Sequence, residues 1–576
     1  MLRRVKYIGF CLGLMAFPSG CATPQPEESV VGDYLSGRFA AQANEVGAAA
    51  NAFEGARSEL AATDEVLRSA FLYQLAAGDV ENASSLADEI LDNDEPEDDD
   101  LARLTLAAKA LRDENYQEAR TALAADAQID YLAAPMLILD AWAITGANDA
   151  RAGLQVLAQQ DKEIFRGFHP LHQALLFEKA DLISEAETAH QLSLATYGGL
   201  VGFEAYGAFL ERTGEDGAAE AFYNQVLDNS GLARVIAKQG LQRIKKGKAS
   251  NSFANTSPAQ GGALALHAFA QAILEQIEEQ RSAAEEAGFR IGDPNYDMPL
   301  ALIQIALYLD PSFDHGQWLA GRILNIYGDT ENAISMFKRI PQSSPYFGQA
   351  QIDIATGLVE VDRASEALKI LRAATRNPNA GEEARFQFAN LLVKEKQYDA
   401  AISVFDDLID ALPQEPPTDT WRYFVARAAT HMEVDQWKKA EPDLIRAVEI
   451  APKQAIALNY LGYSWAERGE NLEKAFDLIE QAVALEPNSG AYIDSLGWAY
   501  YQSNDFQTAV GHLEHAASLE PSDPTVTDHL GDVYWRLGRK IEARYQWRHV
   551  LELNPKDKLR EAVEKKLKDG LPELSK

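Results

Sequence analysis

Three groups of residues here are of the type that does chemistry: two histidine pairs, one acidic run and two cysteines. His169-Pro-Leu-His172 and His512-Leu-Glu-His515 place histidines three apart, on one face wherever the segment is helical. Two imidazoles are half of a zinc site, but the His-Glu-x-x-His spacing and the further ligands zinc needs are absent at both places. These histidines are therefore expected on the surface or in a groove. The run from Asp92 to Asp100 is acidic enough to attract calcium, yet it lacks the interleaved ligands and turn glycine of an EF-hand loop. It reads as a solvated loop. Both cysteines, Cys11 and Cys21, fall near the start, which leaves the body without disulfide, thiolate nucleophile or thiolate metal site. No glycine-rich phosphate loop and no Gly-x-Ser-x-Gly elbow occurs. These residues point away from an enzyme and away from any cofactor or metal.

Cys21 has a different chemistry. The segment Met1 to Tyr7 carries three positive side chains and is followed by an apolar run from Ile8 to Phe17. That run is too short to span a bilayer and suits a secretory signal. Pro18-Ser19-Gly20-Cys21 then resembles the bacterial lipobox, in which the cysteine becomes the lipid-modified first residue after cleavage. Ser19, Gly20 and Cys21 match, and Pro18 stands where leucine is usual. The resemblance implies removal of residues 1–20, a lipid on Cys21 and a tether over 21–33. Ala22, being other than aspartate, implies the outer membrane, with the body facing the periplasm. An ordinary cleaved signal peptide is the alternative.

The formal net charge of −34 excludes a nucleic-acid surface, which needs a basic face. It suits a solvated acidic exterior that keeps a long molecule soluble, or one that selects basic partners.

The element that must position everything else is a repeat. Pro452, Pro487, Pro521 and Pro555 recur at spacings of 35, 34 and 34. Before Pro521 stand Leu496-Gly497, Tyr500, Ala509, Leu513 and Ala516; before Pro555 stand Leu530-Gly531, Tyr534, Ala543, Trp547 and Val550. The small residue beside leucine lets two helices approach, the later alanine sits at their crossing, and proline stops the second helix. The pattern resembles the tetratricopeptide repeat of about 34 residues. The resemblance implies an all-α solenoid of helix hairpins, wound as a right-handed superhelix, in which no hairpin buries its apolar face alone.

Along the chain, divergent repeats are expected over 34–244, and a Ser/Asn/Gly-rich linker, a mobile loop or a boundary, over 245–262. A middle block follows over 263–413, then a Pro-rich insert over 414–420. Regular repeats occupy 421–555, and a Lys-rich capping helix ends the chain over 556–576. In the family the first helix of each hairpin lines the concave groove. Carried onto matching positions, the groove residues are Asn459, Tyr463, Asp494, Trp498, Tyr501, Asp528, Asp532, Trp535 and Arg536. Aromatic rings beside hydrogen-bonding groups suit a protein-binding groove, although such rings also pack between neighbouring repeats. Asp494, Asp528 and Asp532 depart from the Lys, Arg and Asn set that clamps a C-terminal carboxylate.

With the lipobox, the motifs Tyr492-Ile-Asp-Ser-Leu-Gly-Trp-Ala-Tyr500, Asp528-His-Leu-Gly-Asp-Val-Tyr-Trp535 and Ala543-Arg-Tyr-Gln-Trp547 resemble proteobacterial outer-membrane tetratricopeptide lipoproteins. One kind in that family partners a periplasmic carboxy-terminal-processing protease, activates it and delivers cell-wall hydrolases to it. The resemblance implies a non-enzymatic envelope adaptor with such partners. A structural part of an envelope machine, for polysaccharide export or activation of wall synthases, is the alternative.

Overall fold

The computed structural model describes residues 30–59, 63–92, 100–124, 132–158, 167–196, 199–214, 216–227, 231–286, 295–377 and 380–573. The signal segment, Cys21 and most of the tether lie outside the described residues, as do 93–99 of the acidic run. Among the described residues there are thirty α-helices and no strand. The first helix starts at Val30, within the span expected to be tether.

Each regular hairpin is made the same way. Helix Gly490–Gln502 ends through Asn504, whose φ of 67° is left-handed, while the Asp505 amide donates back to the Tyr500 carbonyl at 2.9 Å. The Asp505 carboxylate then accepts from the Thr508 amide at 3.1 Å and starts helix Phe506–Leu519. The same left-handed residue recurs at Gly328, Asp362, Lys396, Asp435 and Gly538. Where the two helices cross there is no room for a side chain. A Cβ on Gly497 would lie 2.7 Å from Leu513, and one on Gly531 2.6 Å from Trp547. Ala475, Ala509 and Ala543 are fully buried at the crossings. Pro487 and Pro521 follow just beyond helices Leu472–Leu485 and Phe506–Leu519. The leucine–glycine–alanine–proline reading of the sequence holds in each case.

The amino-terminal half departs from a simple row. Six hairpins run from Val30 to Asn224, and helices Asp64–Ala77, Val80–Leu91, Asp100–Arg112 and Ala133–Ala147, of the second to fourth, pack on a further hairpin formed by helices Pro258–Glu286 and Asp297–Leu309. A Cβ on Gly261 would lie 2.0 Å from the Trp142 indole, and Gly262 packs between Leu111, Leu139 and Leu309. Phe168 stacks on Phe269 at 4.0 Å, and the Tyr73 hydroxyl donates to Asp297 at 2.9 Å. The reason is in the second of these helices. From Pro299 to Leu307 every residue is buried and all but Gln304 are apolar, so the segment needs cover on all sides. One continuous core consequently runs from Ala40 to Tyr423, through what the sequence divides into separate blocks.

The 245–262 segment is not the mobile linker its composition suggests. Buried Glu211 accepts from Arg243 at 2.8 and 2.9 Å, from the Tyr223 hydroxyl at 2.7 Å and from the Ser250 amide at 2.9 Å. Arg212 donates to the Ser252 carbonyl at 2.7 Å and to Glu178 at 2.6 Å. The segment is pinned from the preceding hairpin, and its helix begins at Pro258. Helix Leu232–Lys245 in turn crosses to the middle repeats: Arg234 pairs with Asp419 at 2.9 Å and Lys238 with Glu382 at 2.6 Å.

The first histidine pair is also corrected. His169 and His172 lie in the core rather than on the surface, and His172 Nδ1 accepts the Trp142 indole N–H at 3.0 Å. Burial pushes their pKa values down to about 4 and about 3. A neutral imidazole is what an apolar site with an indole donor requires. His512 stays near the surface, stacked on Tyr500 at 5.4 Å.

Candidate partner-binding groove

The nine groove candidates sit on three consecutive first helices: Ala455–Arg468, Gly490–Gln502 and Pro524–Arg536. Asp494, Trp498 and Tyr501 are spaced by four and three, so they share one face of their helix. The structure brings them against the next repeat. Trp498 stacks on Tyr501 at 4.5 Å and on His529 at 3.9 Å, and Tyr463 stands 6.5 Å from the same imidazole.

His529 is the residue that sequence reasoning missed. Its Nδ1 lies 2.9 and 3.1 Å from the two oxygens of Asp494. Burial alone would depress its pKa, but the Asp494 charge and hydrogen bond, with Asp528 and Asp532 nearby, outweigh that and raise it. The available signal was position: Asp494 and Asp528 are one repeat apart, and His529 is the next residue.

The far end of this wall is already engaged. Lys566, on the last helix Asp557–Asp569, donates to Asp528 at 2.7 and 2.9 Å and to Asp532 at 2.8 Å. Burial lowers the Lys566 pKa, but the two carboxylates more than reverse this, so the ammonium stays charged. For Asp532, burial and the neighbouring Asp528 push the carboxyl upward, against the pull of Lys566. Asp532 also accepts the Trp547 indole N–H at 2.9 Å. Arg536 donates to the Pro572 carbonyl at 2.6 Å and to the Tyr501 hydroxyl at 3.2 Å. Trp535 lies so close to Gly570 that a Cβ there would sit 2.1 Å from the ring. Asp528, Asp532, Trp535 and Arg536 therefore hold the chain's own end rather than an open groove.

The candidates that the chain's last turn does not engage lie one and two repeats earlier. The indole N–H of Trp498 and the side-chain carbonyl of Asn459 are buried and have no hydrogen-bond partner among the described residues. Both residues are half-buried as wholes, as is Tyr463. An indole donor and an amide acceptor beside stacked rings can meet a peptide bond or an amide side chain. No described group of three or more histidine, cysteine, aspartate or glutamate side chains is arranged to hold a metal.

The family model described as tetratricopeptide repeat matches residues 352–416, 425–490 and 495–556. Among curated proteins, the chain is similar to the TPR repeat-containing protein PA4667 of Pseudomonas aeruginosa, 27% identical over 201 residues, which is 35% of this chain and 33% of that protein. It is also similar to the human mitochondrial import receptor subunit TOM70, 28% identical over 96 residues, or 17% of this chain and 15% of the receptor. The matches thus span a third or less of the length of these relatives. Among solved structures, the Cut9–Hcn1 hetero-tetramer of the APC/C aligns over 94% of this chain and 96% of that one, at 16% identity and a TM-score of 0.37. A thermophilic TPR protein of Thermus thermophilus, TTC0263, aligns over 32% of this chain and 99% of its own, at 23% identity and a TM-score of 0.29. Repeats of this kind are scaffolds for protein–protein interaction. Residues 352 to 556 of the chain thus carry tetratricopeptide repeats.

Proposed function

We propose that the protein is a non-enzymatic scaffold of the cell envelope, anchored in the outer membrane through Cys21 and holding periplasmic proteins on its superhelix. In its specific form the reading is an adaptor that activates a carboxy-terminal-processing protease and presents cell-wall hydrolases to it. The scaffold part rests on one observation: the first helices around Trp498 keep a buried donor and a buried acceptor without partners, beside a stack of rings. Leaving such groups unmet costs roughly 1–3 kcal/mol each. A docked polypeptide, with a donor and an acceptor at every residue, removes that cost once the half-buried Trp498 and Asn459 side chains turn toward it. Support for the envelope comes from the sequence up to Cys21, and support for the adaptor role from the resemblance of the motifs between Tyr492 and Trp547.

The test is affinity capture of the full chain from membranes, with Trp498→Ala and Cys21→Ser variants in parallel. The adaptor reading expects a serine protease or a wall hydrolase with the unaltered chain, and its loss with Trp498→Ala. Cys21→Ser is expected to keep the partner and move the chain from the membrane to the soluble fraction. Recovery of neither enzyme class would remove the adaptor role, and a Cys21→Ser chain that stays in the membrane would remove the lipid anchor.

A further inference from the structure

A cavity of about 420 Å³ lies where the pinned 245–262 segment meets the start of helix Asp314–Ile326. Helix Gly199–Arg212 supplies Glu204 to its wall, and helix Leu232–Lys245 supplies Gln239 and Arg243. The pinned segment brings Ser252, and the first turn of helix Asp314–Ile326 brings Asp314 and His315. None of the nine groove candidates lines it.

Three buried polar atoms of the lining residues have no hydrogen-bond partner among the described residues: Glu204 Oε2, His315 Nε2 and Gln239 Nε2. Their neighbours fix the roles of the first two. The Ser252 hydroxyl donates to Glu204 Oε1 at 3.0 Å, which leaves Oε2 as an acceptor. His315 Nδ1 lies 3.1 Å from Asp314 Oδ1, and a carboxylate only accepts. Nδ1 therefore carries the proton, and Nε2 of the neutral ring is an acceptor as well. The Ser344 hydroxyl holds the other oxygen of Asp314. Two acceptors thus stand 3.4 Å apart with no described side chain donating to either, on a histidine only 4% exposed.

The charge around them is one-sided. Glu204, Asp310 and Asp314 bring three carboxylates to the lining, and Arg243 is already engaged by Glu211 at 2.8 and 2.9 Å. A metal ion does not fit, since no three described histidine, cysteine, aspartate or glutamate side chains are arranged to hold one. A group that donates several N–H bonds and carries a positive charge satisfies both acceptors and offsets the carboxylates. Gln239 offers its amide N–H to an oxygen on the same guest.

We propose that this cavity binds a small organic amine, its primary ammonium held between Glu204 Oε2 and His315 Nε2 and a hydroxyl or carbonyl oxygen on Gln239. The site does not rest on the scaffold reading, and it gives the 245–262 segment a ligand-binding role. Burial raises the Glu204 carboxyl, so in acid a proton on Oε2 competes with the ammonium. The other titratable groups around the pair do not change charge there. Burial holds His267 at about 3 and Tyr346 far above its ordinary value. For Arg243 burial is outweighed by Glu211, which raises it, and for Asp314 by hydrogen bonds from His315 and Ser344, which lower it. Asp310 accepts from Ser312 in its own turn at 2.6 Å.

The experiment is isothermal titration calorimetry of the full chain with ethanolamine and serinol, beside their neutral counterparts ethylene glycol and glycerol. Saturable binding of at least one amine is expected, with neither neutral compound bound and with affinity falling from mildly basic to mildly acidic pH. Glu204→Gln keeps the side chain's shape and still accepts from Ser252; it should bind about ten-fold more weakly and lose most of the pH dependence. Ser343→Trp, which fills the cavity from an exposed lining position, should weaken binding as much. Ile541→Ser, 86% accessible, should leave it unchanged. Three results would overturn the proposal: no saturable binding of either amine, equal binding of glycerol and serinol, or full affinity in both Glu204→Gln and Ser343→Trp.

Discussion

The two ends of the concave wall are filled by opposite chemistry. At the amino-terminal end, Leu104, Leu111 and Trp142 close on an inner hairpin whose second helix is buried on every side from Pro299 to Leu307. At the carboxy-terminal end, Lys566 sits on Asp528 and Asp532, and His529 on Asp494. Apolar burial is non-directional and adds with area, at about 25 cal/mol per Å². A buried ion pair must first recover the cost of leaving water, and it contributes little net stability while making its loss expensive. One repeat fold therefore carries a permanent filling at one end and a conditional one at the other.

The comparison can be broken most forcefully at Trp142. Trp142→Ala is expected to cost roughly 3–5 kcal/mol, because the indole is fully buried against Gly261 and donates to His172. In urea unfolding, the amino-terminal hairpins and the 258–309 hairpin should lose stability together. If the inner hairpin kept its protection, the enclosed core would be wrong. Lys566→Ala comes next, at about 2–3 kcal/mol, discounted because the lysine is still partly exposed. Its effect should be local: faster amide exchange in helices Pro524–Arg536 and Asp557–Asp569, with the amino-terminal half unchanged.

The pH responses of the two ends should have opposite signs. Burial depresses His169, His172 and His267 to about 4, about 3 and about 3, below the ordinary histidine value near 6.5. The unfolded chain binds more protons there, so amino-terminal stability is full above pH ~6.5 and falls as the pH drops toward those values. His529 is raised by Asp494, so its contribution is full below pH ~6.5 and is lost as the pH climbs through its folded value. Fragment-resolved proteolysis under urea at mildly acidic and mildly basic pH reads both ends at once; matching trends would contradict the assignment. The smallest expected effect is at Ile541, which is 86% accessible: Ile541→Ser should stay within about 0.5 kcal/mol of the unaltered chain.

Much of the regular part was legible because its causes are local. A left-handed residue, an aspartate cap, a glycine facing Leu513 or Trp547 and a proline past the helix each act within one hairpin, and all of them stand in the sequence. The inner hairpin was half legible. Leu300-Ala-Leu-Ile-Gln-Ile-Ala-Leu307 announces burial on all sides, but nothing in it names the hairpins between Asp64 and Ala147 that supply the cover. The 245–262 segment misled because its serines and asparagines look mobile, while Glu211 and Arg212 that fix it come from an earlier hairpin. Lys566 misled in the same way: among the surface lysines of a polar helix, one turns inward, and a single buried charge leaves no trace in composition. The nine groove candidates fall on three consecutive first helices, but which of them the chain itself occupies depended on where its last turn folds back.

The most direct test of the central claim, a concave wall filled at both ends and open between them, is carbene footprinting of the full chain under native conditions. Ile352 and Val359, both half-buried, should be labelled several-fold faster than Leu104 and Leu111, which are sealed under the inner hairpin. Equal protection of all four would mean that the middle groove is closed as well. Fast labelling of Leu111 would mean that the inner hairpin does not fill the amino-terminal turn.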